Sequence, residues 1–472
     1  MTRFRVRQWL VFGFWVVWCG LGWAESVAAL NHDGLRLLKE NDYAGAVAAF
    51  AEAKRRAPGN ATLRHNHVAA LNAWAVWLDQ EKHHEAAVER IERALRLDPD
   101  DPTLRKNATN LWMNHSLVLT EKADYEQADR ALVTAAETAT ASDRRLIEQR
   151  RAENLTLWGR KLAEGRRRGR AQSLLEQALG LDSTCVPALL ELAGMLYDDG
   201  HTAKALAYWE LVYQQRPEMP GLQERIDRVR REMEAEAGFE YRSSRHFTVS
   251  YEGERNAAAA ETILEILETA RRRLGRELNY QPQHRVQVVV YTEQQYSRVT
   301  LAPHWAAAMY DGKIRVPVHG EPGSGGQKER LRQMLYHEYV HALVHAAGGS
   351  EVPTWLNEGL ATYYEHERRE RRERHEEEIR SIAQLAREGI LVTVSSLPAS
   401  FFEERNPEIV KRYYLVSRGF TGWLIDRYHP YRVCELLEHM GNGQDFETAI
   451  ESSYHQSLKT LEQRWQEALR RY

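Results

Sequence analysis

Cysteine is nearly absent from this chain: Cys19, Cys185 and Cys434 are the three it has in 472 residues. So few exclude a disulfide framework. An excess of charge of one sign is missing too, since 64 Lys+Arg stand against 67 Asp+Glu. That balance leaves no global field to draw the protein onto nucleic acid or an anionic bilayer, so partners must come from local sites. Beyond residue 24 no apolar run is long enough to span a membrane. What is present is an apolar fraction of 43%, ample for burial, in a chain long enough for two to four domains.

The first residues carry the exception. Arg3, Arg5 and Arg7 precede an apolar run from Trp9 to Trp23 that ends in Gly22-Trp23-Ala24. Small residues at two positions with a basic start read as a signal peptide cleaved after Ala24, and hence as an exported, periplasmic protein. An uncleaved anchor is the alternative, and the one route to membrane contact. Attachment of lipid at Cys19 is disfavoured by bulky Trp18, where a small residue is needed. Removal of the leader leaves Cys185 and Cys434, in different expected domains, as two buried free thiols.

A period near 34 residues organises the first half. In residues 27–60, Gly34, Ala46, Phe50, Ala53 and Pro58 occupy small, small, aromatic, small and proline positions. Small residues let two antiparallel helices approach, the aromatic fills the gap, and proline ends the second helix. The pattern recurs at 68–101 (Ala87, Ile91, Ala94, Pro99), 109–142 (Tyr125, Ala128, Leu132, Ala135), 152–185 (Gly159, Ala171, Leu175, Ala178) and 186–219 (Ala193, Ala205, Trp209, Pro217). It resembles the tetratricopeptide repeat. The uneven spacing of the starts predicts extended helices or turns in several copies. The array is expected either to hold the following domain in place or to offer a groove to a peptide or partner protein. Trp74, Trp77, Trp112 and Trp158 are expected in the cores of the helix pairs.

A capping helix over roughly 221–237 closes the array, and the pattern then changes. Phe247, Val249 and Tyr251 alternate as in a strand, 256–277 read as an amphipathic helix, and Val286 to Tyr291 is a β-branched run. Domains are therefore expected at 25–237 and 238–472, the second of mixed α/β character. Within a helical stretch from Glu329 to His345 stands His337-Glu338-Tyr339-Val340-His341. Histidines four apart share a helix face, so both imidazoles reach one metal ion, while Glu338 can contact a water beside it. The spacing suits Zn2+. A catalytic zinc needs a third protein ligand and an open position.

After a Gly348-Gly349 break comes Trp355-Leu356-Asn357-Glu358-Gly359-Leu360-Ala361. HExxH followed by a helix bearing W-L-x-E-G-L-A is similar to the gluzincin zinc metallopeptidases, and among them to peptidase MA-like proteins joined to tetratricopeptide repeats. The resemblance implies an α+β, thermolysin-like domain with a helical C-terminal subdomain, after an N-terminal α-solenoid. It makes Glu358 the third zinc ligand. A metzincin is excluded, because its third histidine would fall where Ala347 stands. The implied activity is peptide hydrolysis: Glu338 takes a proton as water attacks the scissile carbonyl and returns it to the leaving amine, with the ion acidifying the water and steadying the oxyanion. In Asn406 to Tyr428 the family's Y-x-x-S pattern falls on Tyr414 as transition-state donor, with Tyr413 the alternative. Met309 to Val316 reads as a turn into an edge strand, either a plain sheet edge or, as the resemblance implies, the element that holds an extended substrate.

Other signals are assigned no chemistry. His345 is expected at the surface or supporting a ligand, and His304 and His319 as structural or exposed. Gly320 to Lys328 reads as a flexible loop, and Glu365 to Arg380 as a solvated helix. Where some family members orient a zinc histidine with a carboxylate stands Thr362, which leaves Glu365 as a guess for that role. Besides the exported peptidase acting on a peptide or protein, a catalytically silent repeat scaffold or cell-envelope assembly factor stays open.

Overall fold

The computed structural model describes residues 26–164, 167–282, 284–300, 309–317, 325–349, 351–401, 404 and 406–472. The leader of residues 1–24, His304 and His319 lie outside the described residues. Two compact units divide the chain, Met1–Ile147 and Glu148–Tyr472.

The first unit is built of helix pairs: α1 (Val27–Lys39) with α2 (Tyr43–Arg56), α3 (Ala61–Gln80) with α4 (His84–Leu97), and α5 (Pro102–Glu121) with α6 (Tyr125–Thr138). Each pair turns the same way. Asn41, Lys82 and Ala123 take left-handed backbone conformations. The next amides, of Asp42, His83 and Asp124, donate to the carbonyls of Leu37, Leu78 and Leu119 at 2.9, 2.8 and 2.9 Å. This ties off the helix C-terminus and reverses the chain. Each second helix then buries its small-large-small set: Ala46, Phe50 and Ala53, then Ala87, Ile91 and Ala94, then Ala128, Leu132 and Ala135, none above 1% exposure. Gly34 is required by close approach, because a Cβ there would sit 2.6 Å from the Phe50 ring. Successive first helices are also cross-linked, Asn66 donating to Asn31 and Asn107 to Asn72, both at 2.8 Å.

Two sequence expectations need correction here. The second, third and fourth pairs start at Ala61, Pro102 and Ala141, not at 68, 109 and 152, because their first helices run for 20, 20 and 24 residues. Trp77 is 39% exposed, lying 5.6 Å from the Tyr43 ring, rather than in a helix-pair core.

The second unit opens with the same architecture. The division falls within α7 (Ala141–Glu164), which pairs with α8 (Arg168–Leu181); α9 (Val186–Asp198) and α10 (Thr202–Gln215) follow, then a lone helix, α11 (Leu222–Ala235). A sheet comes next: β1 (Glu240–Ser243), β2 (Phe247–Tyr251), α12 (Glu254–Glu277), β3 (Val286–Tyr291), α13 (Glu293–Thr300), β4 (Met309–Tyr310) and β5 (Ile314–Pro317). Among the described residues the order is β1-β2-β3-β5-β4. The inner pairs are parallel, with Phe247 opposite Val286 and Val288 opposite Ile314, and both outer pairs are antiparallel. Met309 to Val316 is thus a hairpin whose edge is the short β4; β5 lies inside. The apolar run of β3 reflects cover on both faces. Val286, Val288 and Val290 join the main core with Ile263 and Leu267 of α12, while Val289 and Tyr291 pack with Tyr296 and Val299 of α13.

Helices complete the unit: α14 (Gly325–Gly348), α15 (Thr354–Tyr364), α16 (Arg368–Arg387), α17 (Pro407–Tyr428), α18 (Pro430–Gly441), α19 (Phe446–Tyr454) and α20 (Leu458–Leu469). The expected loop up to Lys328 is already helical from Gly325. Cys185 is buried and Cys434 half-buried, and both are free. Among the described residues no helix is long and apolar enough to cross a membrane. The protein is mostly helical, with TPR-like repeats before a small mixed sheet.

Candidate metal centre

Helix α14 is apolar on most of its circumference. Leu335, Tyr336, Tyr339, Val340, Leu343 and Val344 are all buried, and the Tyr339 ring packs edge-on against Phe247 of β2 at 5.3 Å. A helix held on several sides is fixed in rotation. Its remaining stripe presents His337, Glu338 and His341.

Opposite lies α15, where Trp355, Leu356, Leu360 and Ala361 enter the same core. Gly359 follows from packing against α17: a Cβ there would lie 2.3 Å from the Thr421 hydroxyl oxygen and 2.6 Å from the Ser417 carbonyl oxygen. This close approach seats Glu358 between α14 and α17.

One oxygen of Glu358 lies 3.6 Å from Nε2 of His337 and 3.7 Å from Nε2 of His341. The potential ligand atoms of the three residues lie within 4.8 Å of one another. Tetrahedral zinc with bonds of about 2.0–2.1 Å spaces its ligand atoms roughly 3.3–3.4 Å apart, so the fit needs only small adjustments. The shared oxygen of Glu358 is buried and has no hydrogen-bond partner among the described residues, as is true of one oxygen of Glu338. Unsatisfied buried carboxylate oxygens are costly, and a cation between them answers that cost.

The imidazoles are aimed by their other nitrogens. Nδ1 of His337 lies 2.9 Å from the Glu365 carboxylate, and Nδ1 of His341 lies 2.9 Å from the Asn357 side-chain oxygen. Each is in place to donate Nδ1–H and leave Nε2 free for a metal, the arrangement typical of ligating histidines. Glu365 thus stands where Thr362 does not reach. Asn357 carried no sequence signal beyond adjoining Glu358.

Electrostatics separate the carboxylates. Burial pushes the Glu338 carboxyl above the usual carboxylate range, with Glu358 adding to it against the pull of His341 and His337. For Glu358 burial acts in the same sense, but His341 and His337 overcome it and the group is held low. Glu365 is likewise opposed by burial yet brought down to about 2 by its hydrogen bond with His337 and by the His366 ring 3.1 Å away. Two carboxyls suit cation and imidazole binding, and one is biased towards accepting a proton.

On α17, Tyr414 stands beside Glu358, and burial together with the Glu358 and Glu338 carboxylates keeps its phenol protonated. Tyr413 turns its ring onto Phe401 at 5.3 Å. His345, one turn beyond His341, is exposed and meets the Tyr310 ring at 5.9 Å. It is not part of the ligand cluster.

The sequence profile of the Peptidase MA superfamily matches residues 270–471. No curated protein matches the chain. Among solved structures, PilF of Pseudomonas aeruginosa is similar at 21% identity, covering 40% of this chain and 75% of its own, with a TM-score of 0.20. A thermophilic TPR protein of Thermus thermophilus is similar at 18% identity, covering 43% of this chain and 98% of its own, with a TM-score of 0.18. At these values nothing of those proteins' roles transfers. The helix bearing His337 and His341, the helix bearing Glu358 and the matched profile fall in one stretch: residues 270–471 are similar to the Peptidase MA superfamily.

Proposed function

We propose that this protein is an exported, zinc-dependent peptidase of the gluzincin type, with a thermolysin-like catalytic domain after residue 238 and repeats over 25–237 that recruit a substrate or partner protein. The observation that carries the reading is the single Glu358 oxygen facing both Nε2 atoms of His337 and His341.

Zn2+ held by His337, His341 and Glu358 supplies Lewis acidity, which acidifies a water and polarises a carbonyl. The chain's own groups do the rest. Glu338 sits beside the ligands with an unpartnered oxygen and a raised pKa, so it accepts a proton as the peptide carbonyl is attacked and passes it to the leaving amine. Tyr414, kept protonated, donates a hydrogen bond to the negative charge developing on the carbonyl oxygen. Glu365 and Asn357 hold the imidazole rings in register. β4, the edge strand among the described residues, offers backbone groups to an extended peptide. Export rests on the basic, then apolar, first 24 residues.

The test uses the chain from residue 25 as wild type and as Glu338→Gln, with bound metal measured by elemental analysis and cleavage against a mixed peptide library. Stoichiometric zinc in both and a loss of about 100- to 10,000-fold in kcat for the variant is the expected result. Zinc without cleavage in either points to a silent scaffold. Absence of metal in both sinks the ligand assignment.

A further inference from the structure

We infer that His366 is a positioning residue of the metal centre, one that fixes the Glu365 carboxylate and, through it, the aim of the His337 imidazole. This rests on the reading of His337, His341 and Glu358 as metal ligands and adds to it a residue that touches no ion.

Two imidazoles share Glu365, one at each oxygen. One oxygen lies 2.9 Å from Nδ1 of His337, and the other lies 3.1 Å from Nε2 of His366. Glu365 and His366 follow Tyr364, the last residue of α15, so that helix does not by itself hold them in place. A carboxylate tied at one oxygen can still turn about its Cγ–Cδ bond, where the torsional preference is broad. Tied at both, it becomes a fixed acceptor for His337, whose Nε2 then faces Glu358 at 3.6 Å.

Burial makes the imidazole an expensive choice at this position. His366 is 2% exposed, and neither of its ring nitrogens completes a hydrogen bond among the described residues. An apolar ring would fill the place without that cost. The carboxylate nearest Nε2 is Glu365, whereas Nδ1 lies 3.7 Å from Glu370, which is half exposed and can turn to water. What the imidazole offers that an apolar ring would not is an Nε2–H for the inner carboxylate.

The backbone that carries His366 is clamped onto the metal-bearing half of the unit. Arg273 of α12 donates to the His366 carbonyl at 2.6 Å and to Glu277 at 3.2 Å. Arg371 of α16 donates to the other oxygen of Glu277 at 2.9 Å and lies over the Tyr363 and Tyr364 rings at 5.1 and 4.8 Å. Arg273 also lies over the ring of Tyr336, the residue before His337, at 5.3 Å. One arginine thus grips both the ligand helix and the segment bearing His366, which sets the gap that Glu365 bridges.

The test compares His366→Gln with His366→Asn in the full chain, because the glutamine amide nitrogen falls where Nε2 lies and that of asparagine where Nδ1 lies. Glu365→Gln, alone and combined with His366→Asn, completes the set. Zinc affinity is read by competition with a chromogenic chelator, ligand geometry by the visible absorption of the Co2+-loaded protein, and folding by thermal melts without metal. His366→Asn should hold zinc about tenfold more weakly than the parent and shift the Co2+ spectrum, while His366→Gln should stay near the parent. The double variant should be no weaker than Glu365→Gln alone, since His366 acts through Glu365. His366→Phe, which fills the place without a donor, should match His366→Asn and carries the test if that variant does not fold. Zinc affinity equal to the parent's in a folded His366→Asn or His366→Phe, even with lower melts, makes the histidine merely structural and overturns the inference. So do losses in the single variants that multiply in the double. A parent that takes up no metal overturns it together with the ligand assignment, whereas a parent that holds zinc but cleaves no peptide removes only the peptidase reading, and the same order of affinities then still supports His366.

Discussion

The second unit contains two clusters of buried charge, and they are finished differently. At the end of the repeats, Glu232 of α11 is fully buried against Lys313 and Arg315 of the β4–β5 hairpin. Both oxygens of Glu232 are answered. Arg315 donates to Glu232 at 2.8 Å and to Asp311 at 3.1 Å, Lys313 to Thr202 at 2.8 Å, and the Tyr197 hydroxyl to Glu232 at 2.7 Å. At the metal centre Glu338 and Glu358 are buried too, but an oxygen of each is left without a partner. A buried charge cluster that is internally satisfied holds a fold together, and one that is left incomplete marks a place for a ligand. The difference also tells how the hairpin is set: its turn is held by α9 and α11, so these repeat helices belong to the same structural unit as the edge strand.

That contrast breaks most sharply at Glu232. Glu232→Gln strands two buried cations and should cost about 3–5 kcal/mol, read as a lower denaturation midpoint. Fragments test the same point, since a chain begun at residue 238 lacks Glu232 and should be far less stable than one begun at 148. Tyrosine hydroxyls come next, for each cluster has recruited one. Tyr414→Phe should lower kcat by about 100-fold with little change in zinc content, because its hydroxyl serves the reaction. A loss of zinc instead would make it a structural partner of Glu358. Gly359→Ala should then cost about 1–3 kcal/mol by forcing α15 away from α17, seen in thermal melts of the metal-free protein. Glu338→Gln should behave oppositely, stabilising the metal-free protein by ~1 kcal/mol as an unanswered carboxylate is removed.

The smallest effect is in the pH dependence of metal-free stability, where the clusters have opposite signs. Burial lifts the Glu232 pKa, but Arg315 and Lys313 more than offset it and the folded value is lowered. Its stabilisation is therefore present above about 4.5, the ordinary glutamate value, and lost as pH falls below it. The Glu338 pKa is raised in the folded state, so its contribution is present below about 4.5 and lost as pH rises through the raised value. Denaturation midpoints against pH should show Glu232→Gln flattening the acid limb and Glu338→Gln flattening the decline above it. The same change in both variants would dissolve the comparison.

The sequence was most legible where function or packing follows local geometry. Ala87, Ile91 and Ala94 lie on one helix face by spacing alone, and they are buried together. His337 and His341 meet because four residues make about one helical turn. Glu358 was reached only through resemblance, since nothing in its spacing from His341 says that α15 folds back. Helix lengths were less legible: the added turns of α3 and α5 precede the template positions, where no small-residue pattern marks them. Trp77 looked like core because indole is apolar, yet it lies on the outer side of α3.

Sequence by itself determined the small-large-small faces of the second repeat helices and the placing of His337, Glu338 and His341 together on one helix, because each depends on residues within one or two helical turns. Tertiary structure alone decided that Asn357 and Glu365 aim the imidazoles, that Tyr414 rather than Tyr413 reaches Glu358, and that Glu232 secures Lys313 and Arg315 across 81 and 83 residues. Those pairings have no period. They exist because packed helices bring distant polar groups out of water together, where each must find a partner or wait for a ligand.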